Sequence, residues 1–121
     1  MLPVVPIAIA AFGGVSGLRL LMRRRRIAAE DVERHWAATF PGDHVTDKVV
    51  AMDGRTALVA TDWGAGLLCH GGAEACRIDD TEVDQVPGGL TIRFRDGITA
   101  PITVALPSGD AAAWTDRIEG R

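Results

Sequence analysis

The chain has 121 residues and a formal net charge of −3, which is divided unevenly along its length. Residues 1–26 contribute +5, all from arginine, whereas residues 27–121 contribute −8. Because an acidic body is repelled by the phosphates of nucleic acids, the composition excludes nucleic acid as a partner of the larger part.

The first predicted element is an apolar segment, Leu2–Met22, that is interrupted only by Arg19. As a helix, its 21 residues would span about 31 Å, which is close to the hydrocarbon thickness of a bilayer. A block of fixed positive charge follows at once. The segment therefore predicts a transmembrane helix, with a membrane anchor formed by Arg19, Arg23, Arg24, Arg25 and Arg26.

The position of these arginines also predicts an orientation. Positively charged flanks stay on the cytoplasmic side, so we expect the N-terminus outside a bacterial inner membrane and residues 27–121 in the cytoplasm. Gly13 and Gly17 form a G-x-x-x-G pair, which favours dimers of helices in lipid. Two alternatives remain open for this segment, namely a cleaved signal peptide and a buried core helix.

The next element is a predicted amphipathic helix over residues 27–40, within a segment 27–42. Its apolar residues Ala29, Val32, Trp36 and Phe40 recur at helical spacing, and we expect the stripe to dock on the domain that follows. Pro41-Gly42 ends the helix.

Residues 43–121 are predicted to form a mainly β domain, because short apolar runs are separated by glycine turns. Short connections favour antiparallel pairing of neighbouring strands. The predicted strands are Val45–Met52, Thr56–Thr61, Gly66–His70, Glu74–Ile78, Val83–Val86, Leu90–Arg95 and Pro101–Leu106.

The last two strands allow a prediction of register. A two-residue loop at Asp96-Gly97 would turn one apolar set to the wrong face, because a slip of one residue reverses every side chain. A loop that also includes Ile98 places Ile92 opposite Ile102, and we predict that register.

The final element is a predicted short helix on which Ala111, Trp114 and Ile118 share one face. We expect Trp114 to close one open end of the sheet. The predicted fold class is thus α+β: an N-terminal transmembrane helix, then a small antiparallel sheet or partial barrel of about seven strands with a C-terminal helix.

This order of short strands, glycine turns and a final helix resembles the pleckstrin-homology-like domain of small bacterial membrane proteins. The resemblance is carried by ALVATDWGAGLLCH, ACRIDDTEV, GGLTIRFRDG and the helix DAAAWTDRIEG, and it covers roughly Val45 to Gly120. It implies a curved sheet with one helix over its mouth, used as a binding or assembly module. It implies no reaction.

Cys69, His70 and Cys76 are the residues whose side chains would suit zinc. Their spacing lacks a C-x-x-C pair, and neighbouring residues on a strand point to opposite faces. We therefore expect Cys69 to be buried and His70 to lie at the surface, with both cysteines as thiols, and we predict neither a metal nor another cofactor.

A run of acidic residues precedes Pro87. Carboxylates can hold Ca²⁺ or act as acid and base, but this run lacks the pattern of a calcium loop, and a solvated acidic loop is the favoured interpretation. A second interpretation has this edge facing the Arg23–Arg26 block. The run consists of Asp79, Asp80, Glu82 and Asp84.

The sequence as a whole predicts a non-catalytic binding or assembly module held at the lipid bilayer, with a protein partner or a second copy of itself. The alternative is a thiol- or metal-dependent enzyme or redox protein that uses Cys69, His70 and Cys76. Trp63 lies in a tight turn, where it either contacts lipid or a partner or folds over the edge of the sheet.

Overall fold

The computed structural model describes residues 26–120. Seven strands form two antiparallel sheets, of order β1-β2-β3-β4 and β5-β6-β7. The first sheet contains β1 (Val45–Val50), β2 (Ala57–Thr61), β3 (Ala65–Cys69) and β4 (Glu74–Arg77), and the second contains β5 (Thr81–Val86), β6 (Gly89–Phe94) and β7 (Ile102–Ala105). The helices are α1 (Val32–Thr39) and α2 (Ser108–Ile118).

Both faces of the four-stranded sheet are buried, because its central strands carry consecutive apolar side chains, which point in turn to one face and to the other. On β2, Leu58 belongs to a core shared with the second sheet and α2, whereas Val59 belongs to a smaller core under α1. Val32 and Trp36 of α1 complete the smaller core, which confirms the expected docking of this helix on the sheet.

Helix α1 begins at Val32, five residues later than predicted, after a short 3-10 turn over Ala29–Asp31. The reason is local. The Ile27 N–H donates to Gly54 O at 2.7 Å, and Ala28 is extended, so this stretch runs along the β1–β2 turn instead of forming a helical turn.

The strand predictions and the C-terminal helix agree with the structure. Ile92 pairs with Ile102 and Leu90 with Val104, which confirms the predicted register of β6 and β7. Trp114 is buried in the larger core, together with Ala111 and Ile118 of the same helix face.

The two sheets separate where β4 leads to β5. After Arg77 the chain bends, since Ile78 donates its N–H to Ala65 O at 3.1 Å and the Asp79 carboxylate accepts the Ala65 N–H at 2.9 Å. This bend buries Ile78 in the core and ends the pairing of β4. At the opposite side, Met52 N–H donates to Ala105 O at 2.8 Å and joins the end of β1 to β7.

The fold class predicted from the sequence is therefore corrected. The predicted seven antiparallel strands and C-terminal helix are present in residues 26–120, where the strands form two sheets, whereas the predicted transmembrane helix has no counterpart among the helices described there. No helix within residues 26–120 has the length and apolar character needed to cross a bilayer. The segment Leu2–Met22, on which that prediction falls, lies outside the described residues.

Candidate functional site

One surface feature of the described residues is a groove between β5 and α2, hereafter the β5–α2 groove. It forms because each element buries one face and presents the other. Val83 of β5 is buried, whereas its neighbours Glu82 and Asp84 are exposed. On α2, Ile118 is directed into the core, and Asp116 remains exposed at the groove.

The groove has two connected parts. The part near the start of β5 has a volume of about 510 Å³, and the part along α2 has a volume of about 340 Å³. Both parts are lined by Val83, Asp84 and Glu119. The two parts therefore adjoin each other and together follow β5 from Thr81 to Gln85.

Five of the residues that line the β5–α2 groove are acidic. Arg95 contributes positive charge at one end, and Arg93 forms an ion pair with Asp84 outside the lining. At neutral pH the carboxylates produce a negative potential along a concave surface, which attracts cations and basic side chains. The acidic lining residues are Asp79, Glu82, Asp84, Asp116 and Glu119.

Thr115 lines the part of the groove along α2 and is only 7% exposed. Its hydroxyl Oγ1 is buried and has no hydrogen-bond partner within residues 26–120. An unsatisfied buried hydroxyl costs about 1–3 kcal/mol, so such groups are rare in folded proteins.

The acidic run predicted from the sequence is divided by the structure. Asp79 turns back to the β2–β3 turn, where its carboxylate occupies the space that a side chain at Gly64 would need. Asp80 lies 3.7 Å from Arg95. Glu82 and Asp84 are exposed to solvent as predicted, but they lie on strand β5 at the groove and not in a loop.

Cys69, His70 and Cys76 do not assemble as the sequence alternative required. Cys69 and His70 do lie together, but their third neighbour is Glu74. His70 Nε2 is 2.9 Å from Glu74 Oε1, and Cys69 Sγ donates to the same oxygen at 3.8 Å. The expectation that strand alternation separates Cys69 from His70 is wrong, because His70 leaves the strand with a φ of 54°.

Both cysteines are thiols in the structure. Cys76 pairs with Leu67 on β3 and is half-buried. Burial raises the pKa of the Cys76 thiol, and the nearby charge of Glu74 raises it further. A thiol that stays protonated is a poor nucleophile, so Cys76 does not have the properties of a catalytic cysteine.

The predicted anchor and dimer residues Arg19, Arg23, Arg24, Arg25, Gly13 and Gly17 lie outside the described residues. Arg26 is described and is exposed. Its aliphatic part covers Gly54, where an added Cβ would lie 3.0 Å from Arg26 Cγ. The predicted inner-membrane location, which depends on the same segment, stays a prediction.

Trp63 is 71% exposed at the β2–β3 turn, so it does not fold over the sheet edge. Its backbone N–H donates to Thr61 Oγ1 at 3.1 Å, which fixes the turn, and its indole ring is exposed to solvent.

Sequence reasoning did not identify the α2 side of the groove or the role of Glu74. Asp116 lies on α2 and Glu119 directly follows its last residue, and their spacing of three positions places them on one face. This spacing is visible in the sequence, but it indicates a groove only because β5 lies opposite in the folded protein. Glu74 could have been found only from the β3–β4 register, which places it directly across from Cys69.

No protein-family model, no curated protein and no solved structure matches this chain. The resemblance to pleckstrin-homology-like domains therefore stays a prediction.

Proposed function

We propose that this chain is a non-catalytic binding module whose β5–α2 groove takes an arginine- or lysine-rich segment of a partner protein. The observation that carries the proposal is the acidic, concave lining of the groove. Basic side chains of the bound segment would meet these carboxylates.

The position of β5 supports a bound segment in extended conformation. β5 is an edge strand of its sheet, with β6 on one side and no strand on the other within the described part of the chain. An edge strand offers a row of backbone donors and acceptors to an added strand. Pairing with the backbone supplies affinity, and the flanking carboxylates select for positive charge.

The experiment measures binding of a fluorescein-labelled peptide of alternating arginine and glycine to the full-length protein by fluorescence anisotropy. The matched ligand has glutamate in place of each arginine. We expect the arginine peptide to bind and the glutamate peptide not to bind. Affinity should fall as salt is raised, because exposed charges are screened within about 10 Å at 0.1 M ionic strength.

Two variants with the same charge change test the location. Glu82→Lys places a positive charge in the groove, whereas Glu30→Lys places one beside α1, on the other face of the four-stranded sheet. We expect Glu82→Lys to weaken binding about fivefold to tenfold, since one charge reversal near the surface contributes roughly 1 kcal/mol. Glu30→Lys should bind as the wild type does. Equal effects of the two substitutions would mean that net charge, and not the groove, attracts the peptide.

A further inference from the structure

The second cluster of reactive side chains lies at the β3–β4 turn, away from β5 and α2. Cys69 is the last residue of β3 and Glu74 is the first residue of β4, and the two pair directly across the strands. His70 follows Cys69 in the turn. The sulfur, imidazole and carboxylate atoms of the three side chains all lie within 4.8 Å of one another.

We propose that Cys69, His70 and Glu74 form a binding site for one Zn²⁺ ion. In a tetrahedral zinc site, bonds of about 2.0–2.3 Å place neighbouring ligand atoms roughly 3.4–3.6 Å apart. The His70–Glu74 separation is 2.9 Å and the Cys69–Glu74 separation is 3.8 Å. Both separations lie within about 0.5 Å of these values, and the third, between Cys69 and His70, is at most 4.8 Å.

The turn itself is built to bring these side chains together. His70 has a φ of 54°, a left-handed conformation that non-glycine residues seldom adopt. Gly71 and Gly72 follow with φ of 66° and 97°, and the imidazole of His35 packs against Gly72, where an added Cβ would lie 2.8 Å from the ring. Uncommon backbone conformations of this kind concentrate at functional sites.

The donor set and its accessibility favour zinc. Thiolate, imidazole and carboxylate are the ligands of zinc sites, whereas Ca²⁺ and Mg²⁺ select oxygen ligands. The His70 and Glu74 side chains are 26% and 36% exposed, so an ion can enter from solvent, while Cys69 is 9% exposed and forms the floor. Three protein ligands leave the fourth position for a water molecule. Binding converts the Cys69 thiol to a thiolate and releases its proton to solvent.

Cys76 provides a matched control, because it is the other cysteine of the chain and is not a member of the cluster. It lies opposite Leu67, two pairs further along the two strands and therefore on the same face as Glu74. The Cys76→Ser variant retains Cys69 as its sole thiol, so any metal–thiolate bond in that variant must involve Cys69.

The test titrates the reduced, metal-free, full-length protein with Co²⁺, followed by Zn²⁺. We expect one Co²⁺ per chain, a thiolate-to-cobalt charge-transfer band in both the wild type and Cys76→Ser, and displacement of the cobalt by zinc. Zinc affinity, measured by competition with a chromophoric chelator, should fall at least about tenfold in Cys69→Ser and Glu74→Gln and stay unchanged in Cys76→Ser.

Circular dichroism establishes that each variant is folded. If Cys69→Ser does not fold, the comparison of the wild type with Cys76→Ser still decides the question. Absence of the band in the wild type, or its loss in a folded Cys76→Ser protein, would overturn the proposal. Because the zinc test does not use the arginine peptide, either proposal can fail without the other.

Discussion

Trp36 lies directly on Gly66: a Cβ added at residue 66 would be 2.1 Å from Cη2 of the indole. Helix α1 approaches β3 this closely because residue 66 has no side chain. The indole is buried, stacks on Phe40 with ring centres 4.6 Å apart, and donates through Nε1–H to Asp43 Oδ2 at 3.1 Å. A single glycine therefore sets the distance between the helix and the sheet.

We expect Gly66→Ala to lower the free energy of unfolding by about 1–3 kcal/mol, because the added methyl group overpacks a buried contact. Chemical denaturation measures this change. Gly109→Ala is the control, since nothing lies within 4 Å of an added Cβ in the first turn of α2. Alanine should stabilise that helix by about 0.5–1 kcal/mol. A Gly66→Ala protein as stable as the wild type would show that the indole is not held against β3.

Asp43 connects α1 to β4 and should make stability depend on pH. Arg77 Nη2 donates to Asp43 Oδ1 at 2.9 Å, and this bond, with a smaller contribution from the Trp36 indole, lowers the pKa of the Asp43 carboxyl. Because the pKa is lower in the folded state, the carboxylate stabilises the fold above the ordinary value of 3.8. That stabilisation is lost as the pH falls through the folded-state pKa.

Accordingly, Asp43→Asn should be less stable than the wild type at pH 7, and the difference should shrink in acid below the folded-state pKa. Denaturant midpoints measured across this range test the expectation. Arg77→Gln removes the other partner, so the double variant should lose little more than either single variant. A difference that stays constant down to the lowest pH would contradict the assignment.

The β6–β7 loop contains a second perturbed carboxyl. Asp96 accepts hydrogen bonds from the Thr99 hydroxyl and from the backbone N–H groups of Ile98 and Thr99, and these lower the pKa of Asp96 to about 2. These hydrogen bonds to the carboxylate stabilise the loop, and we expect that stabilisation to be lost as the pH falls from about 4 to about 2. We expect Thr99→Val to raise the pKa of Asp96 toward 3.8, as measured by carboxyl ¹³C NMR titration. Thr103→Val, on β7, should leave that pKa unchanged.

The unpartnered Thr115 hydroxyl gives a prediction of opposite sign. Thr115→Val keeps the shape of the side chain and removes the buried polar atom, so we expect the free energy of unfolding to rise by about 1 kcal/mol. Thr81→Val is the control, because the Thr81 hydroxyl donates to Ile78 O at 2.7 Å and its loss should destabilise the protein. A destabilised Thr115→Val protein would mean that the hydroxyl has a partner in solution.

The local sequence pattern was sufficient to predict the strands and the pairing of β6 with β7. Leu90, Ile92 and Phe94 alternate with polar residues, and this alternation fixed which face of β6 is buried and so its register with β7. The apolar stripe of Val32 and Trp36 likewise placed α1 on the sheet. Such features depend on a few consecutive residues, which the sequence displays directly.

The division into two sheets could not be predicted in this way. It depends on Ile78 and Asp79 both turning back to Ala65, a contact between residues 13 and 14 positions apart that no local periodicity encodes. The predicted start of α1 failed for a similar reason, because Ile27 pairs with Gly54 rather than with the next helical turn.

The sequence by itself determined the number and order of the strands, the buried faces of β6 and β7, and the uneven distribution of charge, because these follow from the local order of apolar, polar and charged residues. Only the tertiary structure decided which polar groups become neighbours. The tertiary structure places the α2 carboxylates across from β5. It also places Glu74, and not Cys76, beside Cys69 and His70. Both outcomes follow from strand register and backbone turns that bring distant residues within a few ångströms, which a linear pattern does not contain.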